Sequence, residues 1–139
     1  MHVRELMTTA PITVPPSTTV VDAKALMARS HIRHLLVVED GRLLGIVTDR
    51  DIRLNLASPA TSLSVWELNY LLARLTVDQI MTKAVITVPP QHDARAAARL
   101  MLEHKIGGLP VVDGRRLVGI VTETDLVRAF AEGTVPAAV

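Results

Sequence analysis

The sequence predicts an α/β (α+β) protein built from two β-α-β-β-α repeats, related by a pseudo-twofold axis and packed as one module. Three observations predict it. The stretch Leu43–Leu44–Gly45–Ile46–Val47–Thr48–Asp49–Arg50–Asp51 returns as Leu117–Val118–Gly119–Ile120–Val121–Thr122–Glu123–Thr124–Asp125. The likeness extends far beyond it at one constant offset. Val3 answers to Val77, Met7–Thr8 to Met81–Thr82, Ile12–Thr13–Val14–Pro15–Pro16 to Ile86–Thr87–Val88–Pro89–Pro90, and Val37–Val38 to Val111–Val112. Finally, each copy passes from a helix-spaced apolar pattern to short continuous apolar runs, which suit buried strands. Two copies are too few for a solenoid, so they are expected to pack on each other and bury a shared core.

The elements follow in order. Val3–Met7 reads as a short helical lead-in and Ile12–Val14 as a brief strand, which Pro15 and Pro16 end because neither can donate to a ladder. Thr19–Ser30 is an amphipathic helix with Val20, Ala23, Leu26 and Met27 on one face. Leu35–Val38 and Leu43–Val47 are strands joined by a tight turn at Glu39–Asp40–Gly41–Arg42, and Asp49–Leu56 closes the repeat. One apolar helix face per repeat is left to be covered, and the second copy is expected to cover it. Ser58–Ser62 is a linker by composition. Ser64-Val65-Trp66-Glu67 reads as a capping box opening a helix whose stripe, Trp66, Tyr70 and Leu71, is expected to pack over the core, with an oligomer contact as the alternative. The second copy repeats the order: lead-in Val77–Met81, strand Ile86–Val88, helix Asp93–His104, strands Leu109–Val112 and Leu117–Val121, helix Asp125–Ala131. The boundaries are therefore 1–57 for the first repeat, 58–76 for linker and helix, 77–132 for the second repeat and 133–139 for a frayed tail.

Composition narrows the function. Hydrophobic residues make up 49% of the 139, which suits a packed core rather than disorder. No apolar run approaches the roughly 18 residues of a membrane span. The N-terminus lacks a signal-peptide pattern, so the expected location is the cytoplasm. There is no cysteine, hence no disulfide and no thiolate chemistry. A net charge of +1 and a single Trp, Tyr and Phe argue against nucleic acid as partner. No P-loop, Gly-x-Ser-x-Gly or His-Glu-x-x-His pattern marks an enzyme. His31 and His34 are spaced as a metal pair would be, but no third ligand stands out and no metal is expected.

The repeated Thr-x-x-Asp junction carries the chemistry. A Thr hydroxyl at a helix N-cap accepts from a backbone N–H, and an acid three residues on reaches back to the cap. The same helix end exposes N–H groups and a positive dipole that attract phosphate. A ribose diol needs a carboxylate acceptor, a phosphate a guanidinium or helix N–H groups, and adenine an apolar slot. Capping alone is the plainer reading of one such junction.

Met-Thr followed by Ile-Thr-Val-Pro-Pro, then Ile-Arg-His-Leu-Leu-Val-Val, then Gly-Ile-Val-Thr-Asp-Arg-Asp resembles the CBS (cystathionine-β-synthase) domain. Two copies resemble a tandem CBS pair, or Bateman module, and the linker and Trp66 helix resemble stand-alone bacterial CBS proteins of the acetoin-utilisation type. The resemblance implies a non-catalytic regulatory module that binds AMP, ADP or ATP between the repeats. The resemblance also implies a homodimer that signals ligand state to an effector protein. An S-adenosylmethionine or NAD-type ligand, or a dimerisation module with empty clefts, are the alternatives. It further implies that Asp51 and Asp125 accept from ribose beside Thr48 and Thr122, and that Arg50 and Thr124 stand at the phosphate position. Ile32, Ile106 and Pro110 would wall the adenine, with Thr18, Ala23, Ile12 and Ile86 completing the lining. Arg33 and His34 match a basic pair for phosphate, replaced in the second repeat by Gly107 and Gly108. The family rule, as applied here, pairs the junction of one repeat with the wall and basic pair of the other, so Asp125 would face Arg33 and His34.

Overall fold

A computed structural model of the chain describes residues 1–57 and 64–133; the linker expected at Ser58–Ser62 and the tail beyond Gly133 lie outside the described residues. A 3-10 turn at Val3–Glu5 leads into β1 (Thr8–Thr9), followed by β2 (Thr13–Val14), α1 (Val20–Ser30), β3 (His34–Glu39), β4 (Arg42–Thr48) and α2 (Asp49–Ala57). Next come α3 (Val65–Arg74) and α4 (Val77–Ile80), then α5 (Ala94–His104), β5 (Gly108–Asp113), β6 (Arg116–Thr122) and α6 (Glu123–Ala131). The mixed α/β class holds, and the described elements follow the expected order closely.

Local chemistry sets the ends. The Thr19 hydroxyl accepts from Asp22 N–H to start α1, and the Asp93 carboxylate accepts from Ala96 N–H to start α5. Both helices stop at a left-handed residue, His31 and Lys105, each with φ 54°. The two hairpins share a two-residue loop but differ in turn. Asp40 and Gly41 are both left-handed (φ 52° and 76°), the type I′ pattern, whereas in the second hairpin Gly114 at the first loop position (φ 64°) supplies the positive φ. A register shift follows in both, between Val37 and Val38 and between Val111 and Val112.

The chain divides into two compact units, and these do not coincide with the sequence repeats. One unit is Ile12–Val85. Its sheet runs β2-β3-β4, with β2 parallel and β4 antiparallel to β3. The second repeat's lead-in completes it: Thr82 exchanges backbone bonds with Ile46 (3.1 and 3.0 Å), and Val77 N–H donates to Thr18 O at 2.8 Å. The other unit joins Met1–Pro11 to the chain from Ile86 onward, and its sheet runs β1-β6-β5. Here the first repeat's lead-in does the same work. Thr8 and Thr9 pair with Ile120 and Gly119, and Val3 N–H donates to His92 O at 2.8 Å. Each repeat is thus closed by the lead-in of the other.

The cores show the same exchange. In the first unit fully buried Val77 packs with Val20, Ala23 and Met27 of α1, and with Leu35, Val37, Val47 and Ile52. In the second, fully buried Val3 packs with Ala97 and Met101 of α5, and with Leu109, Val111 and Val121. The helix face left open by each repeat is therefore met by a turn from the other copy, and each unit has a core of its own. The lead-ins lie flat because each crosses a glycine. A Cβ on Gly45 would stand 2.8 Å from Thr82 O and 2.5 Å from Met81 Sδ. On Gly119 it would stand 2.7 Å from Thr8 O and 2.8 Å from Met7 Sδ.

Two expectations change. Ile86–Val88 is not a strand among the described residues; only Val88 bridges to Val111. The position opposite is Pro110, where the first repeat has Leu36, and proline has no N–H to give the ladder. The Trp66 stripe does not lie over the core either. Trp66 is 84% exposed, with Tyr70 and Leu71 also exposed, and the half-buried side of α3 carries Leu68 and Leu72. Ser64 does cap this helix, accepting from Glu67 N–H.

Candidate functional site

At the end of β4 the chain turns directly into α2, and the junction is held by a reciprocal pair. Thr48 N–H donates to Asp51 Oδ2 at 2.9 Å, and Asp51 N–H donates to Thr48 Oγ1 at 3.1 Å. This is a capping box with aspartate as its acid. It consumes one carboxylate oxygen. Asp51 Oδ1 has no partner among the described residues, and the side chain is half-buried. The carboxylate is therefore fixed in place, with one oxygen that makes no bond among the described residues.

The hairpin brings the start of β3 to this same end. His34 stands opposite Thr48 in the register, and Asp49 N–H donates to Arg33 O at 3.1 Å. Arg33 and His34 thus adjoin Thr48 and Asp51 of their own repeat, a neighbour that the expected pairing with the Asp125 junction did not include. The reason is connectivity, because an antiparallel hairpin sets the beginning of its first strand against the end of its second. The Arg33 side chain is exposed, with no ion-pair or hydrogen-bond partner among the described residues, and His34 is half-buried. Arg50, in the first turn of α2, is exposed.

The second junction is built alike but finished differently. Asp125 Oδ2 accepts from Thr122 N–H at 2.9 Å and lies 3.2 Å from Thr122 Oγ1, while Asp125 N–H donates to Thr122 Oγ1 at 3.4 Å. Gly108 stands opposite Thr122, and Glu123 N–H donates to Gly107 O at 2.9 Å. Asp125 is buried, at 9% exposure, and Arg128 Nη1 lies 3.4 Å from its other oxygen, Oδ1. Sequence reasoning passed over Arg128. The signal was available, because the first repeat has Leu54 at the matching place.

The remaining candidates divide by exposure. Ile12 (40% exposed) and Thr124 are open to solvent. Ile32, Ile86, Ile106 and Thr18 are half-buried, and the three isoleucines pack against their units' cores. Thr18 is tied by its backbone to Pro15 and Val77. Ala23 is wholly inside the first core, and Pro110 is buried in β5 opposite Ile120. Among the described residues, no three His, Asp or Glu group as metal ligands would. No helix among them is long and apolar enough to cross a membrane.

Both repeats match the CBS domain family model, over residues 3–58 and 77–132, and the chain belongs to the CBS domain family. CBS domain-containing protein YhcV of Bacillus subtilis is 34% identical over 124 residues, which make up 89% of this chain and 81% of that protein. Several other curated relatives are longer, and the chain spans only 21% to 44% of them. The CBS domain pair of protein MJ0100, solved in complex with 5′-methylthioadenosine and S-adenosyl-L-methionine, is 32% identical with a TM-score of 0.81. That match covers 95% of this chain and 97% of the other. CBSX2, solved in complex with AMP, is 33% identical with a TM-score of 0.79, covering 96% and 98%. A putative acetoin utilization protein (AcuB) from Vibrio cholerae is 34% identical with a TM-score of 0.79, covering 100% and 98%. The resemblance read from the sequence, acetoin-utilisation type included, stands.

Proposed function

We propose that this CBS pair is a non-catalytic, cytoplasmic regulatory module that binds a phosphorylated adenosine of the AMP, ADP or ATP class and reports its presence to an effector protein. The observation that carries the reading is the Asp51 end of the first unit. One carboxylate oxygen is locked into the helix cap and the other is left for a ribose hydroxyl, with an exposed guanidinium and an imidazole on the neighbouring strand. The N-terminus of α2 adds a positive dipole end where a phosphate would lie. The AMP held by CBSX2 and the adenosyl ligands held by the MJ0100 pair support the ligand class.

The two ends are not equivalent. At the second, Gly107 and Gly108 replace Arg33 and His34, and Thr124 replaces Arg50. One charge-assisted contact contributes roughly 1.5–3 kcal/mol, so phosphate prefers the Asp51 end by about tenfold or more. The second end lacks the groups that would favour a 5′-phosphate. Ligand-dependent signalling then follows from differential affinity, since a nucleotide favours whichever arrangement binds it better and the effector reads that arrangement. The exposed apolar residues Val65, Trp66, Tyr70 and Leu71 on α3 support a homodimer.

Thermal denaturation with AMP, ADP, ATP, S-adenosylmethionine, 5′-methylthioadenosine and NAD tests the ligand class. A midpoint that rises with AMP concentration supports the proposal. A midpoint indifferent to all six at millimolar ligand contradicts it. Monomer mass alone in light scattering would remove the homodimer.

A further inference from the structure

We propose that Arg128 is a latch on the second ribose acceptor, holding Asp125 closed to a ligand that Asp51 accepts freely. The inference rests on the reading above, that the Thr-x-x-Asp carboxylates take ribose hydroxyls. Both carboxylates spend Oδ2 on the Thr N–H of their own cap. Oδ1, which makes no cap bond, is the oxygen more open to a hydroxyl. In the second repeat that oxygen already faces the guanidinium of Arg128, three residues along α6, at 3.4 Å. In the first repeat the same helical position is Leu54, and Asp51 Oδ1 is unpartnered among the described residues. The difference is one residue wide.

A hydroxyl donating to Asp125 Oδ1 has to compete with a cation for that oxygen. Asp125 is buried, so its remaining lone pairs are poorly served by water and the arginine contact is correspondingly valuable to it. Arg128 is itself 57% exposed, which lets it swing away and leaves the contact open to screening by salt. The latch is therefore weak and releasable. It sets affinity for the adenosyl part of the ligand and so differs from the loss of Arg33 and His34, which concerns phosphate.

Unmodified adenosine is the probe, because it carries the diol and no charge. The measurement is calorimetric titration of the full chain in an Asp51→Ala background, with Asp51→Asn as a second background should the cap variant fold poorly. Adding Arg128→Leu should tighten adenosine binding about fivefold, the size of an exposed ion pair at the upper end of its range. Arg128→Lys should keep most of the weaker, latched affinity. Raising salt to about 1 M, where the screening length is about 3 Å, should strengthen binding with Arg128 present and leave the Arg128→Leu form unchanged. Unchanged or weaker binding in Arg128→Leu, with the parent protein still binding adenosine through Asp51, overturns the latch alone. If neither parent nor variants bind adenosine, the ribose-acceptor reading and the latch fall together.

Discussion

In each repeat one carboxylate oxygen closes a helix cap; the other faces Arg128 at Asp125 and has no partner among the described residues at Asp51, so the proposed function gives Asp51 a part in both folding and recognition. The two roles separate by substitution. Asp51→Ala should cost about 1 kcal/mol of stability through the lost cap and about 1–3 kcal/mol of AMP affinity through the lost acceptor. Asp51→Asn keeps a capping oxygen and most of the shape, so urea denaturation should find it near the parent while calorimetry finds AMP binding weakened. Equal AMP affinity in all three proteins would leave Asp51 as a cap only. At this scale the sequence was largely legible. The Thr-x-x-Asp junctions announced the caps, and both reciprocal pairs formed as expected. What was not drawn from the sequence was the adjacency of Arg33 and His34 to Thr48 and Asp51. Counting outward from the two-residue loop Asp40–Gly41 pairs Glu39 with Arg42 and so sets the start of β3 near the end of β4. The register shift at Val37/Val38 moves the final partner of His34 to Thr48.

Among the elements, helices and hairpins were readable because their signals are local: the apolar spacing along Thr19–Ser30 and Gly41 in the first turn. Elements settled by what lies against them were not. Ile86–Val88 has the same apolar pattern as Ile12–Val14, yet the missing N–H of Pro110 removes a ladder bond across from it. Gly45 and Gly119 look like ordinary strand glycines until the lead-ins are seen crossing them. Gly45→Ala and Gly119→Ala should therefore each destabilise the protein by about 1–3 kcal/mol, the usual range for overpacking a tight contact. Backbone carbonyls, Thr82 O and Thr8 O, stand in the way, so repacking Met81 or Met7 cannot relieve the clash. Thermal or urea unfolding checks this, and parent-like stability in both variants would show that the lead-ins do not sit tightly on their strands.

For the whole molecule the repeat itself was plain, but the exchange of lead-ins was not. A constant offset equates Val3 with Val77 without saying which copy each joins, and a valine buried in either core reads identically. The exchange makes a testable statement. Val3→Ala, although in the first repeat by sequence, should cost about 2 kcal/mol and loosen the second repeat's core. Hydrogen exchange should show protection lost in β5, β6 and α5, with β3 and β4 little changed; loss confined to β3 and β4 would refute the exchange. The central functional claim is that a phosphorylated adenosine binds at the Asp51 end through Arg33. It is tested most directly by calorimetric titration of the parent and Arg33→Ala proteins with AMP and with adenosine. The account predicts that Arg33→Ala weakens AMP binding about tenfold or more, as loss of a charge-assisted contact would, while leaving adenosine binding unchanged. AMP binding indifferent to Arg33→Ala, or adenosine binding weakened as much as AMP binding, would contradict it.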